Sequence, residues 1–142
     1  MTLMPTLTLT DAPDPADAGA ITAGLQRFNT ETVGYVDARP LTVVARDPES
    51  GAVVGGVLAR TSFGLLLIDI FHVDAGLRGG GIGSRMLAMA EEESRRRGCK
   101  RAVLYTISFQ APGFYARNGW RAFGEIPCDP PGTSRVFMTK EL

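Results

Sequence analysis

The chain has 142 residues, enough for one domain that buries roughly two thirds of the surface its unfolded form would expose. Its 15 Lys and Arg match its 15 Asp and Glu, so no global charge draws it to nucleic acid or another polyanion. Two cysteines, Cys99 and Cys128, without metal spacing argue for a reduced, cytoplasmic setting, and no apolar run nears the ~20 residues of a membrane span. The N-terminus also lacks the basic and then apolar regions of an export signal.

In chain order, Leu7 to Leu9 between threonines predicts a first strand, which Asp11 to Pro15 breaks before a helix over Ala16 to Phe28. Residues 29–40 read as polar and irregular. Leu41 to Ala45 and Ala52 to Arg60 predict strands joined by the turn Pro48-Glu49-Ser50-Gly51. Leu65 to Val73 is apolar except Asp69 and His72, as in a central strand. Strict alternation puts those two on opposite faces, unless a bulge changes the parity.

Ile82, Met86, Met89 and Ala90 then recur at helical spacing. Glu91/Arg95, Glu92/Arg96 and Glu93/Arg97 form i,i+4 pairs that read as a solvated face, and Gly98 ends the helix. Met86 and Met89 read as core filler. A fifth strand over Ala102 to Ile107, a short helix over Gln110 to Asn118, and strands over Trp120 to Ile126 and Arg135 to Met138 complete the chain. Trp120 is expected in the core, Cys99 buried, and Pro130-Pro131-Gly132 in the last hairpin turn. The expected architecture is a single α+β domain over residues 1–142, with about seven strands and packed helices.

Arg78-Gly79-Gly80-Gly81-Ile82-Gly83-Ser84 lies between the central strand and the amphipathic helix. So many glycines let several amides converge on one anion at a helix start, which is the chemistry of a phosphate cradle. A P-loop would need a lysine before Ser84's equivalent, and none is present. A dinucleotide fingerprint would place its third glycine at Met86, and the site lies mid-chain.

The pattern Arg-x-x-Gly-x-Gly resembles the acyl-CoA site of the GNAT N-acetyltransferases. The strand ending Phe71-His72-Val73-Asp74 before it strengthens the resemblance. So does Phe114-Tyr115-Ala116-Arg117-Asn118-Gly119-Trp120 some thirty residues later. The resemblance implies a mixed, mostly antiparallel sheet with helices on both faces, acetyl-CoA as co-substrate, and no metal. In such enzymes the strand carrying Phe71 and Val73 splays from its neighbour and binds the pantetheine arm. The amides of Gly79, Gly80, Gly81, Ile82, Gly83 and Ser84 would hold the pyrophosphate. Arg78 would either bond the phosphates or fix the loop, and Ser108 stands where the family often has an asparagine reaching the coenzyme.

Tyr115 is the implied acid for the departing thiolate. Asp69 stands where other members carry a base, with pairing to an arginine as its alternative role, and His72 is a further candidate. The implied acceptor is a small-molecule or peptide amine, met by Asn29, Thr30, Glu31, Thr32, Tyr35, Asp37 and Arg39, with Glu125 and Asp129 from later segments. The resulting expectation is a cytoplasmic acetyl-CoA-dependent N-acetyltransferase without nucleic-acid or membrane partners, with a homodimer as one option. A CoA-binding sensor that does no chemistry is the alternative.

Overall fold

The computed structural model describes residues 3–142 of the chain, which divide between Val36 and Asp37 into two compact units. In the first, helix α1 runs Pro15–Val33. Asp14 caps it by accepting from the Ala16 amide at 2.8 Å, and Pro15 opens it where no donor is required. The helix runs beyond the expected Phe28 through residues that read as loop. Thr30 and Thr32 turn their hydroxyls back onto the carbonyls of Gln26 and Phe28, both at 2.9 Å, so their polar groups are met inside the helix. Gly34, at φ 91°, ends it.

The strand expected over Leu7 to Leu9 does not form; residues 3–10 carry no regular structure. A period of two is a local property, whereas a strand exists only through a ladder partner that local sequence does not supply.

The second unit contains strands β1 (Arg39–Arg46), β2 (Val53–Ser62) and β3 (Leu65–Val73), helix α2 (Ile82–Arg96) and strand β4 (Arg101–Ile107). Helix α3 (Pro112–Arg117) and strands β5 (Arg121–Cys128) and β6 (Thr133–Glu141) follow. The strands form one sheet of six, not about seven, in the order β1-β2-β3-β4-β6-β5. Every neighbouring pair is antiparallel except β3 and β4, the strands that α2 connects. Helix α3 is shorter than its pattern suggested. Ser108 and Phe109 form a turn closed by the Gln110 amide on the Ile107 carbonyl at 2.7 Å, and Pro112 starts the helix.

One hydrophobic cluster joins α2 and α3 to the sheet through Leu41, Val57, Leu66, Ile68, Leu104, Val136 and Met138. Helix α2 contributes Met86, Leu87 and Ala90, α3 contributes Tyr115, and Trp120 follows α3. Burying one such aliphatic side chain contributes about 2 kcal/mol.

Two readings of α2 need correction. Met89 is 59% exposed and is not core filler, because the buried stripe runs through Met86, Leu87, Ala90, Glu91 and Ser94 instead. Glu91 belongs to that stripe and is only 4% exposed, so it does not share the solvated face of Glu92 and Glu93. Three consecutive glutamates look alike in sequence, but a helix advances about 100° per residue and turns one of them inward. Among the described residues no helix is long and apolar enough to cross a membrane.

Candidate active site

The parallel pairing of β3 and β4 lasts only from Leu65↔Arg101 to Leu67↔Val103. Beyond it the strands part, and a cleft of about 1000 Å³ opens between Asp69 to Val73 of β3 and Tyr105 to Ile107 of β4. The glycine-rich loop and the α3 segment close its other sides. Past Leu67, β3 remains paired with β2 on one side, so its other edge faces the cleft with backbone donors and acceptors available to a ligand.

The divergence coincides with a bulge. Leu58 pairs with Ile70 but Ala59 pairs with Ile68, leaving Asp69 without an opposite residue. Phe71 and Val73, like Ile68, therefore pack on the core side, and the strict alternation that separated Asp69 from His72 no longer applies. Asp69 lines the cleft, with its carboxylate 3.5 Å from Arg60 Nη1. His72 also lines it, and its Nε2 is 2.9 Å from Asp74.

Of the predicted coenzyme residues, Phe71, Val73, Arg78, Gly79, Gly81, Ile82, Gly83 and Ser84 all line the cleft. Gly81 caps α2 at φ 82° and Gly79 sits at φ 89°, backbone shapes that a Cβ opposes. The first intrahelical bond runs from the Arg85 amide to the Gly81 carbonyl at 3.1 Å. The amides of Ile82, Gly83 and Ser84 therefore have no helical partner, and they sit at the positive end of the helix dipole. Gly83 matters for packing, since a Cβ there would lie 3.3 Å from the Phe114 ring. Gly80 does not line the cleft. Arg78 donates from Nε to the Val73 carbonyl at 3.0 Å, tying the loop to the end of β3.

Ser108 does not line the cleft. Its Oγ accepts from the Ser134 amide at 3.0 Å, extending the β4–β6 ladder beyond Ile107. Gln110 lines the cleft nearby, its side-chain Oε1 accepting from the Ile107 amide at 2.9 Å. Arg117, Asn118 and Arg135 also line it, and sequence reading did not single them out as site residues. Their signal lies in strand register and short-helix phase, which become defined only once α3 and β6 are placed.

Tyr115 is 6% exposed and sits behind the cleft wall. Its ring meets Phe71, Phe114 and Trp120 edge-on, at centroid distances of 5.9, 5.2 and 6.0 Å. Burial pushes its hydroxyl up to about 12. No bond within the described residues engages that hydroxyl, yet among them no buried side-chain oxygen lacks a partner. The Tyr115 oxygen is therefore reached from outside the core. Of the expected acceptor-side residues in this unit, Asp37 accepts from the Phe63 amide and Glu125 from the Ser134 hydroxyl, so both also serve the fold.

The cleft thus combines a splayed parallel pair and a glycine-built helix start at its mouth, with a buried phenol behind its wall. The Acetyltransferase (GNAT) family model matches residues 11–120, and the chain belongs to that family. It is 43% identical over 110 residues to a blasticidin-S acetyltransferase of Streptomyces morookaense, covering 75% of this chain and 81% of that protein. It is 33% identical over 134 residues to an acetyltransferase of Agrobacterium fabrum, covering 94% and 97%. A crystal structure of a candidate acetyltransferase from Agrobacterium tumefaciens superposes with a TM-score of 0.86 at 32% identity, covering 96% of this chain and 99% of that one.

Proposed function

We propose that the protein is an N-acetyltransferase that moves the acetyl group of acetyl-CoA directly to a primary amine within a ternary complex. The observation that carries this reading is the β3–β4 divergence, which exposes one edge of β3 beside the open amides of α2. The pantetheine arm pairs with that edge near Phe71 and Val73, and the amides of Gly79, Gly81, Ile82, Gly83 and Ser84 take the pyrophosphate. Arg78 fixes the loop from Val73 rather than acting only as a phosphate ligand.

An alkyl ammonium with an ordinary pKa near ~10 must lose a proton before it can attack. Asp69, at the bulge, receives that proton directly or through water, and Arg60 holds its carboxylate in place. The amine nitrogen bonds to the acetyl carbon, the carbon–sulfur bond breaks, Tyr115 gives its proton to the departing thiolate, and the extra proton left on the new amide nitrogen restores the Tyr115 phenol directly or through water. A phenol with an ordinary pKa near ~10 already keeps that proton at neutral pH, and burial raises the value further, to about 12.

The test is thiol release from acetyl-CoA over a panel of amines, polyamines, amino acids and peptide N-termini. Blasticidin S heads the panel because a relative is a blasticidin-S acetyltransferase. We expect turnover with at least one amine, and a fall in kcat of roughly ten- to a thousandfold for Tyr115→Phe with CoA affinity retained. CoA binding without turnover on any amine would instead mark a sensor.

A further inference from the structure

We propose that Glu91 and Lys140, an ion pair between α2 and β6, are positioning residues for Tyr115; this rests on the reading of Tyr115 as the acid. Glu91 sits on the inward stripe of α2, its side chain 5% exposed, and Lys140 Nζ from β6 lies 2.6 Å from its Oε1. The other carboxylate oxygen accepts from the indole N–H of Trp120 at 3.4 Å. Lys140 also donates to the Asn118 carbonyl at 2.8 Å. One carboxylate thus grips the turn Asn118-Gly119-Trp120 at both ends.

That turn is bonded to Tyr115 itself. The amides of Asn118 and Trp120 both donate to the Tyr115 carbonyl, each at 3.0 Å. The indole ring of Trp120 also stands edge-on to the Tyr115 ring. From Glu91 to Tyr115 every link is a hydrogen bond or a ring contact. Helix α3 has only six residues, too few to hold its own direction, so whatever fixes its C-terminal turn also aims the phenol. A buried ion pair is a weak source of stability, because removing two charges from water offsets most of their attraction. Its geometric effect is larger: it ties α2 and β6 to one turn.

The experiment compares Glu91→Gln and Lys140→Met, each alone and combined with Tyr115→Phe. Glutamine keeps the volume and an acceptor for the indole but loses the charge that holds Lys140. Should either variant fail to fold, the other is read in the same way. We expect each to lower kcat about tenfold with the KM for acetyl-CoA unchanged within about twofold, and to lower it less than twofold further when combined with Tyr115→Phe. The emission of Trp120, the only tryptophan in the chain, should shift in both variants.

Equal losses with and without the Tyr115→Phe change, or an unchanged kcat in both single variants, would overturn the proposal while leaving Tyr115 as the acid. A silent Tyr115→Phe would remove the acid reading and the positioning role with it. In that case the Trp120 shift still reports whether the ion pair holds the turn.

Discussion

In the proposed mechanism Tyr115 serves both packing and chemistry. Its ring completes an aromatic group with Phe71, Phe114 and Trp120, while its hydroxyl stays at the edge of the core. The same burial has a consequence for stability. The phenol titrates near ~10 when unfolded and at about 12 when folded, so the folded state binds its proton more tightly. This contribution is fully present below the unfolded value and is lost as pH rises toward 12. Thermal melts of wild type and Tyr115→Phe between pH 8 and about 11.5 should converge as that term disappears; parallel curves would contradict it. Glu91 carries the opposite lesson, since nothing in Glu91-Glu92-Glu93 distinguishes the residue that turns inward. Asp69 was visible in sequence as a carboxylate in an apolar strand. Its arginine partner depended on the pairing of β2 with β3.

The glycine loop and α2 act as one element. Gly81 holds φ 82° at the helix start, so Gly81→Ala would place a Cβ in the left-handed region at a cost of roughly 1–2 kcal/mol. We expect a Tm lower by about 3–6 °C, together with CoA affinity weaker by about tenfold because the amides are re-aimed. Gly80 has no positive φ, and a Cβ there would meet only the Leu77 carbonyl, at 3.8 Å. Scanning calorimetry of Gly80→Ala should therefore give a Tm near wild type. An equal drop in both variants would mean that the loop is sensitive to any side chain. Element types were largely legible here, and β3 matched its apolar run from Leu65 to Val73. The misreadings have physical causes: the polar threonines of α1 meet their hydrogen bonds inside the helix rather than ending it, and Leu7 to Leu9 had the period of a strand without a partner.

At the scale of the molecule, a chain of zero formal net charge lines its cleft with Arg78, Arg117 and Arg135 against the single carboxylate of Asp69. Charge is local here, where composition showed only balance. Titration calorimetry should find CoA binding weakened about three- to tenfold between 50 and 500 mM salt. A salt-independent Kd would show that these arginines do not act on the phosphates.

The sequence by itself determined the glycine-rich turn, the helix that follows it, the order of the elements from α1 onward and the family resemblance, because each rests on residues close together in the chain. Only the tertiary structure decided the rest. It set six strands, the bulge that frees Asp69, the turning of Ser108 into the β6 ladder, and the burial of Glu91 against Lys140 and Trp120. The reason is physical: register, bulges and buried ion pairs form between residues dozens of positions apart, and their energies exist only once the chain has brought them together.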